Sequence, residues 1–423
     1  MLLSFSVSNY LSIDEEQTLS LVATKLDGPH EPISGGPQTE NVLPCAIIYG
    51  PNASGKSNLV AALLMLRAQV LSSHSRVSTS QGIPHRPFRL NDENLKKPTT
   101  MEASFIINGV RFDYGLTFND EIYLEEWLYT YPEGRRRRLF ERVGQKVTFG
   151  SEFRGSKKVL VEFMRPNSLF LSTATQNDHE ELSSIRNFFE DFYASNQISV
   201  ASQLINATFK EGQIDTRSIS FLEKIGTGVV GYKQTEVDVP ETWKAMAKDF
   251  LTIAKKHMGD DADELNYEED DKDYSIELAH RAKNQKNVYF GTENESSGTR
   301  RLLLILNGIF KILDEGTVAI IDELDASLHT HAVEALIQLF VDPEINKKGA
   351  QLIATTHDTN LLNPNLLRRD EIWFVEKSHD GASRYYSLSE VKTRKGDDFE
   401  ASYLRGRYGA IPHVSWLKRW RLK

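Results

Sequence analysis

The sequence predicts an α/β fold: a mixed, parallel-rich sheet with an antiparallel β lobe and a helical insertion. Three observations carry that expectation. Short, continuously apolar runs recur at Cys45–Tyr49, Val318–Ile321 and, after Gln351, Leu352–Ala354, and such runs suit strands buried on both faces. The first ends at Gly50 and is followed, over residues 58–71, by a breaker-free stretch of helix composition. Residues 101–150 read instead as a strand meander, with Asn108-Gly109 between Met101–Ile107 and Val110–Phe118 as a type I′ hairpin signal.

The other elements follow in order. Leu3, Phe5 and Val7 alternate with Ser4, Ser6 and Ser8, which is the pattern of a half-buried strand. Asn119-Asp120 and Pro132-Glu133-Gly134 mark further turns. The middle, roughly 178–260, reads as helical: Phe188, Phe189 and Phe192 fall on one helical face, and Glu241–Met258 is rich in Ala and Lys, with Leu251 among them. The acidic run Asp260–Asp271 reads as a solvated connector. Compact α/β signals return from about 273 and continue to the end. This predicts an N-terminal part at 1–165, a mainly helical insertion at 166–272 and a C-terminal part at 273–423, with no internal repeat.

Bulk composition narrows the function classes. A chain of 423 residues with 40% hydrophobic content can bury one large core or two moderate ones. A net charge of −9 excludes a generic polyanion binder, so any nucleic-acid contact must be a local patch. The single cysteine, Cys45, excludes an intrachain disulfide framework and a thiolate zinc site. Its apolar setting makes it a buried, inert thiol. No apolar run approaches the roughly 18 residues that span a bilayer. The first residues lack the basic start and apolar core of a secretion signal. The expectation is a cytoplasmic protein with no membrane partner.

Gly50-Pro51-Asn52-Ala53-Ser54-Gly55-Lys56-Ser57 satisfies G-x-x-x-x-G-K-[ST], and Asn58 continues into the helix. Each residue type answers a chemical demand. The glycines let backbone N–H groups converge on phosphate oxygens, Lys56 reaches the β- and γ-phosphates, and the Ser57 hydroxyl ligates Mg²⁺. The helix behind the loop adds its positive end. The apolar strand before it and the helix after it are the context the motif needs. ATP and Mg²⁺ are the implied ligands.

Four apolar residues end at Asp322-Glu323, which places one carboxylate beside Mg²⁺ and the next where it could polarise an attacking water. Upstream, Glu295-Ser296-Ser297-Gly298-Thr299 opens a helix-like stretch; small hydroxyl residues and a glycine there form an anion nest or, read blandly, a helix cap. Downstream, the third apolar run ends in Thr355-Thr356-His357-Asp358, where His357 could contact the γ-phosphate. The order is phosphate loop, signature, Asp-Glu strand, histidine. It is that of an ABC-type P-loop NTPase head, which closes head to tail as a dimer so that Ser296, Ser297 and Gly298 of one copy complete the site of the other. Ser297 departs from the usual Leu-Ser-Gly-Gly-Gln form, and His329 stands where aspartate is usual. Neither Gln69 nor Gln81 suits the glutamine that senses Mg²⁺.

The chain resembles bacterial abortive-infection ATPases of the AbiL-like AAA/ABC type, relatives of overcoming-lysogenization-defect and RecF-like ATPases. The likeness runs from Phe5-Ser-Val-Ser-Asn9-Tyr10 through the phosphate loop, Glu126-Trp-Leu-Tyr129, Asn167–Ser172, Ile321–His329, Thr355–Asp358 and Leu367–Phe374 to Tyr403–Pro412. It implies an antiphage sensor or scaffold that hydrolyses ATP and controls a separately encoded effector, often a TOPRIM- or RloB-like nuclease. Carboxylates after residue 370 are scattered with no clear metal-binding pattern, and the resemblance implies that chemistry beyond ATP hydrolysis falls to the partner.

Two basic stretches remain. Arg135–Arg138 follows a turn and could take a phosphate backbone, or be merely exposed. The tail after Tyr403 interleaves Arg405, Arg407, Lys418, Arg419, Arg421 and Lys423 with Trp416 and Trp420, which suits nucleic acid, a partner surface or a docked helix. The alternative functions are a DNA-repair or structural-maintenance ATPase, disfavoured because a long heptad coiled coil is missing, and a nucleotide-dependent scaffold with little turnover.

Overall fold

The computed structural model describes residues 1–76, 82–151, 153–155, 157–195, 214–238, 272–393 and 396–411. Gln81, the stretch Glu241–Met258, the acidic run Asp260–Asp271, and the tail from 412 with Trp416 and Trp420 lie outside them. The chain divides into two compact units, Met1–Gln197 with Lys311–Lys423, and Ile198–Phe310.

The first unit contains two sheets. Strands β1 (Leu2–Ser8), β2 (Gln17–Ser20), β4 (Thr99–Ile107), β5 (Val110–Phe118), β6 (Tyr123–Thr130), β7 (Arg137–Val143) and β8 (Lys146–Phe149) form an antiparallel lobe in the order β2-β1-β4-β5-β6-β7-β8. Asn108 and Gly109 both adopt positive φ, 50° and 75°, as a type I′ turn requires. Ile107 accordingly pairs with Val110. The second sheet joins β3 (Cys45–Tyr49), β9 (Tyr193–Ser195), β13 (Val318–Ile321), β14 (Gln351–Thr355), β15 (Ile372–Lys377) and β16 (Ser383–Ser387) in the order β16-β15-β3-β14-β13-β9. All its pairings are parallel except β15 with β16. The apolar runs at β3, β13 and β14 are buried at every residue, which is why they carry no alternation. Cys45 is buried as the first residue of β3.

Helix α1 (Lys56–Ser72) buries Leu59, Val60, Leu63, Leu66 and Val70. After the short helices α2 (Lys158–Phe163) and α3 (Phe170–Gln176), α4 (Glu180–Glu190) buries Leu182, Ile185, Phe188 and Phe189. Phe188 stacks on Phe105 of β4 at 4.3 Å between ring centroids, so the phenylalanine stripe seals the lobe. Phe192 lies just past the helix end, buried beside both rings.

The second unit holds α5 (Thr216–Lys224) and an antiparallel sheet of β10 (Val229–Asp238), β11 (Lys272–Arg281) and β12 (Asn287–Gly291). Here the sequence expectation fails over Val229–Asp238: the stretch is a strand where helix was expected. It is mostly half-exposed, so burial gives it no readable period. Its strand state comes from pairing with β11 along nearly its whole length, a partner distant in the chain. Helix α6 (Ser297–Glu315) follows, and α7 (Thr330–Val341) and α8 (Phe399–Leu404) complete the helices used below. Among the described residues no helix is long and apolar enough to cross a membrane.

A buried ion pair ties the lobe to α3. Glu126 of β6 and Arg142 of β7 are both fully enclosed at 3.5 Å. The Glu126 carboxylate also accepts from the N–H groups of Phe170 and Leu171 at 2.6 and 2.9 Å and from the Tyr114 hydroxyl at 3.0 Å. Burial pushes this carboxyl upward, while Arg142 and the two N–H groups pull it back. Removing one partner would leave an uncompensated buried charge. Glu126→Ala is therefore expected to cost about 3–5 kcal/mol, read as a lower urea midpoint; an unshifted midpoint would contradict it.

Candidate functional site

Strand β3 delivers Gly50 at its carboxyl end, and α1 begins at Lys56, so residues 50–55 must reverse the chain in a tight loop. Two glycines make that turn feasible. Gly55 has φ +109°, and a Cβ there would lie 2.1 Å from Ser383 Oγ and 2.6 Å from Ser12 Oγ. A Cβ on Gly50 would lie 2.5 Å from the Val375 carbonyl oxygen. Lys56 folds back over the loop: its Nζ donates to the carbonyls of Gly50 at 2.8 Å and Pro51 at 3.2 Å, and lies 3.4 Å from His357 Nδ1. Burial lowers the Lys56 amine to about 8, against the pull of Glu323, Asp322 and Asp325.

The second half of the cleft comes from β13 and β14. Their parallel register pairs Ile321 with Ala354, and β14 in turn pairs Thr355 with Ile48. Three strand ends thus lie side by side, the crevice in which parallel sheets place ligands. Asp322 Oδ1 accepts from Ser57 Oγ at 3.0 Å and from Thr355 Oγ1 at 2.6 Å. Glu323 turns left-handed, φ 51°, and its N–H donates to Thr355 Oγ1 at 2.7 Å. The exposed His357 is placed by its own N–H, which donates to the Asp325 carboxylate at 3.2 and 3.3 Å. Asn52, Ala53, Ser54, Gly55, Lys56, Ser57, Asn58, Glu323 and His357 line a cleft of about 540 Å³.

The signature stretch lies in the other compact unit. Ser296 Oγ accepts from the Thr299 N–H at 3.0 Å, capping the first turn of α6, while Ser297 and Gly298 form the turn itself. Ser296 and Ser297 are exposed. His329 caps α7, accepting from the His331 N–H at 3.2 Å. Gln69 is buried well along α1, where Tyr123 and Arg76 both donate to its Oε1.

Five residues at the cleft escaped the sequence reading. Thr355 joins Asp322 to Glu323, and Asp325 holds His357. Ser12, Ser383 and Tyr385 contact the loop from the lobe and from β16: Ser383 Oγ donates to the Ser54 carbonyl at 2.5 Å and Tyr385 OH to that of Gly55 at 2.6 Å. Thr355 and Asp325 fall inside quoted motifs, so their positions were at least in view. The other three are single residues in unrelated segments.

The residues present fit a magnesium triphosphate. Ser54 Oγ is buried without a hydrogen-bond partner at the loop, and such an atom calls for a ligand or water. One hydroxyl and one carboxylate, Ser57 and Asp322, suit Mg²⁺, which keeps several waters of its own. A buried ammonium and a helix N-terminus suit the phosphates.

A family model described as "AAA domain, putative AbiEii toxin, Type IV TA system" matches residues 45–363. The chain belongs to this family. It thereby contains an AAA domain of a family whose description links it to toxin–antitoxin systems. No curated protein matches the chain. Among solved structures it is similar to the Smc head domain with an extended coiled coil, bound to the C-terminal domain of ScpA, from Pyrococcus furiosus. That likeness covers 91% of this chain and 96% of the other at 14% identity, with a TM-score of 0.39.

The lowered Lys56 amine is directly measurable. It should be neutral, and reactive to an acylating reagent, above pH about 8. Mass-spectrometric labelling of Lys56 across pH 6–11 is expected to rise through about 8; a rise centred near the ordinary lysine value would contradict the burial argument.

Proposed function

We propose that this protein binds and hydrolyses ATP at sites shared between two copies of the chain, as an AbiL-like ATPase of antiphage defence that controls a separately encoded effector. One observation carries the reading: the 3.0 Å hydrogen bond from Ser57 to Asp322, which joins segments 265 residues apart at the mouth of a phosphate loop. A serine needed only as a helix-start residue has no reason to meet a strand-end carboxylate.

The roles follow from chemistry. Backbone N–H groups of the loop, such as those of Gly55, Lys56 and Ser57, and the Lys56 ammonium hold the triphosphate. Ser57 and Asp322 hold Mg²⁺, whose charge offsets that of the phosphates. Glu323 sits beside the loop and takes a proton from water; Thr355 orients its backbone and Asp322 alike. His357, steadied by Asp325, faces the terminal phosphate. Ser296, Ser297 and Gly298 serve the partner copy, and the exposure of both serines leaves them accessible to it. Closure of the dimer on ATP would be the signal that switches an effector of TOPRIM or RloB type in the cytoplasm.

Glu323→Gln should keep ATP binding while phosphate release falls by a factor on the order of 10² or more, with protection of cells against phage lost in parallel; unchanged turnover would refute the assignment of the base. Sharing of the site between copies has its own test. Lys56→Ala and Gly298→Arg chains should each be inactive alone, and mixing them should restore phosphate release at one intact composite site. Mixed chains that stay inactive would sink the shared site.

A further inference from the structure

The phosphate loop is held from outside as well as from within. Its carbonyls fall into two groups. Those of Gly50 and Pro51 accept from Lys56 Nζ. Those of Ser54 and Gly55 accept from Ser383 Oγ and Tyr385 OH on β16, which is an edge strand of the parallel-rich sheet. The second pair of bonds does not depend on Lys56.

Peptide planarity turns these bonds into aim. In a trans peptide, C=O and the following N–H point in opposite directions, and no cis bond occurs among the described residues. Fixing the Ser54 carbonyl toward Ser383 therefore aims the Gly55 N–H away from β16. Fixing the Gly55 carbonyl toward Tyr385 aims the Lys56 N–H likewise. Both Gly55 and Lys56 line the cleft.

The bond to Ser54 is the end of a directed chain. The Asn58 amide donates to Ser12 Oγ at 2.6 Å, and Ser12 and Ser383 hydroxyls meet at 2.6 Å. The Ser383 proton is committed to Ser54, so Ser12 must donate to Ser383. Each hydroxyl gives one bond and takes one, an arrangement in which neighbouring bonds reinforce each other. The two segments are also tied by the Ser383 N–H, which donates to the Ser12 carbonyl at 2.7 Å. Burial pushes the Tyr385 phenol far upward, so it stays a donor throughout the working pH range.

We propose that Ser12, Ser383 and Tyr385 are positioning residues of the phosphate loop, which aim the Gly55 and Lys56 N–H groups at a nucleoside triphosphate before it arrives. The proposal rests on the reading of this loop as a nucleotide site. Their contribution is pre-organisation: the loop does not have to be ordered by the ligand it binds.

Full-length Tyr385→Phe and Ser383→Ala decide it, compared with the wild-type chain for ATP KM, kcat and nucleotide-free Tm. Each variant is expected to raise KM about fivefold, as loss of one buried hydrogen bond would, with kcat within about twofold. Ser12→Ala, which cuts the chain one bond short of the loop carbonyls, should raise KM by less. Ser12→Thr, which keeps the hydroxyl, should restore it. Variants that lower Tm but leave KM unchanged would reduce these residues to ordinary packing and overturn the proposal. If Tyr385→Phe or Ser383→Ala does not fold, the Ser12 pair alone decides, and equal KM in its two members overturns it. A wild-type chain that binds no ATP would instead remove the nucleotide reading itself.

Discussion

Parallel pairing of β3, β14 and β13 is the constraint on which the site depends. Each strand is short and buried along its whole length, so register is enforced by the core on both faces. That register fixes where the strands stop, and the stops are where the chemistry-bearing residues stand: Gly50 after the first, Thr355 ending the second, Asp322 after the third. A slip of one residue would turn Asp322 toward the opposite face and break its bonds to Ser57 and Thr355 together. The core, not the loop, supplies the precision of the cleft.

The cleft also contains a standing conflict of charge. The Lys56 amine is buried among loop carbonyls, with Glu323, Asp322 and Asp325 close enough to favour its protonated form. Desolvation still outweighs them, and the amine drops to about 8. A polyanion entering the cleft would supply the missing compensation and draw the amine back toward full charge. The same group thus binds best when protonated and is easiest to deprotonate when the cleft holds no anion.

What could be read in the sequence divides along physical lines. The phosphate loop, the Asp322-Glu323 step and the Asn108-Gly109 turn were legible because each is local: a few adjacent residues with special backbone or chemical needs. Strands β3, β13 and β14 were legible because complete burial leaves an unbroken apolar run. Val229–Asp238 was not, because its strand state comes from a partner distant in the chain and its side chains are mostly half-exposed. Ser12, Ser383 and Tyr385 were not, because a lone serine or tyrosine carries no pattern and each has a partner more than 300 residues away in the chain. Arg142 and Glu126 escaped as a pair for a related reason: charged residues set among apolar ones on a strand look the same whether the charges are solvated or locked inside.

Glu323 holds a left-handed backbone although it has a side chain. Such a conformation costs an ordinary residue about 1–2 kcal/mol, a penalty glycine escapes. The polypeptide would relax with glycine there, and only the carboxylate argues for anything else. At this one position what steadies the chain and the base role proposed for Glu323 are opposed, so selection for thermal robustness alone would tend to disarm the protein.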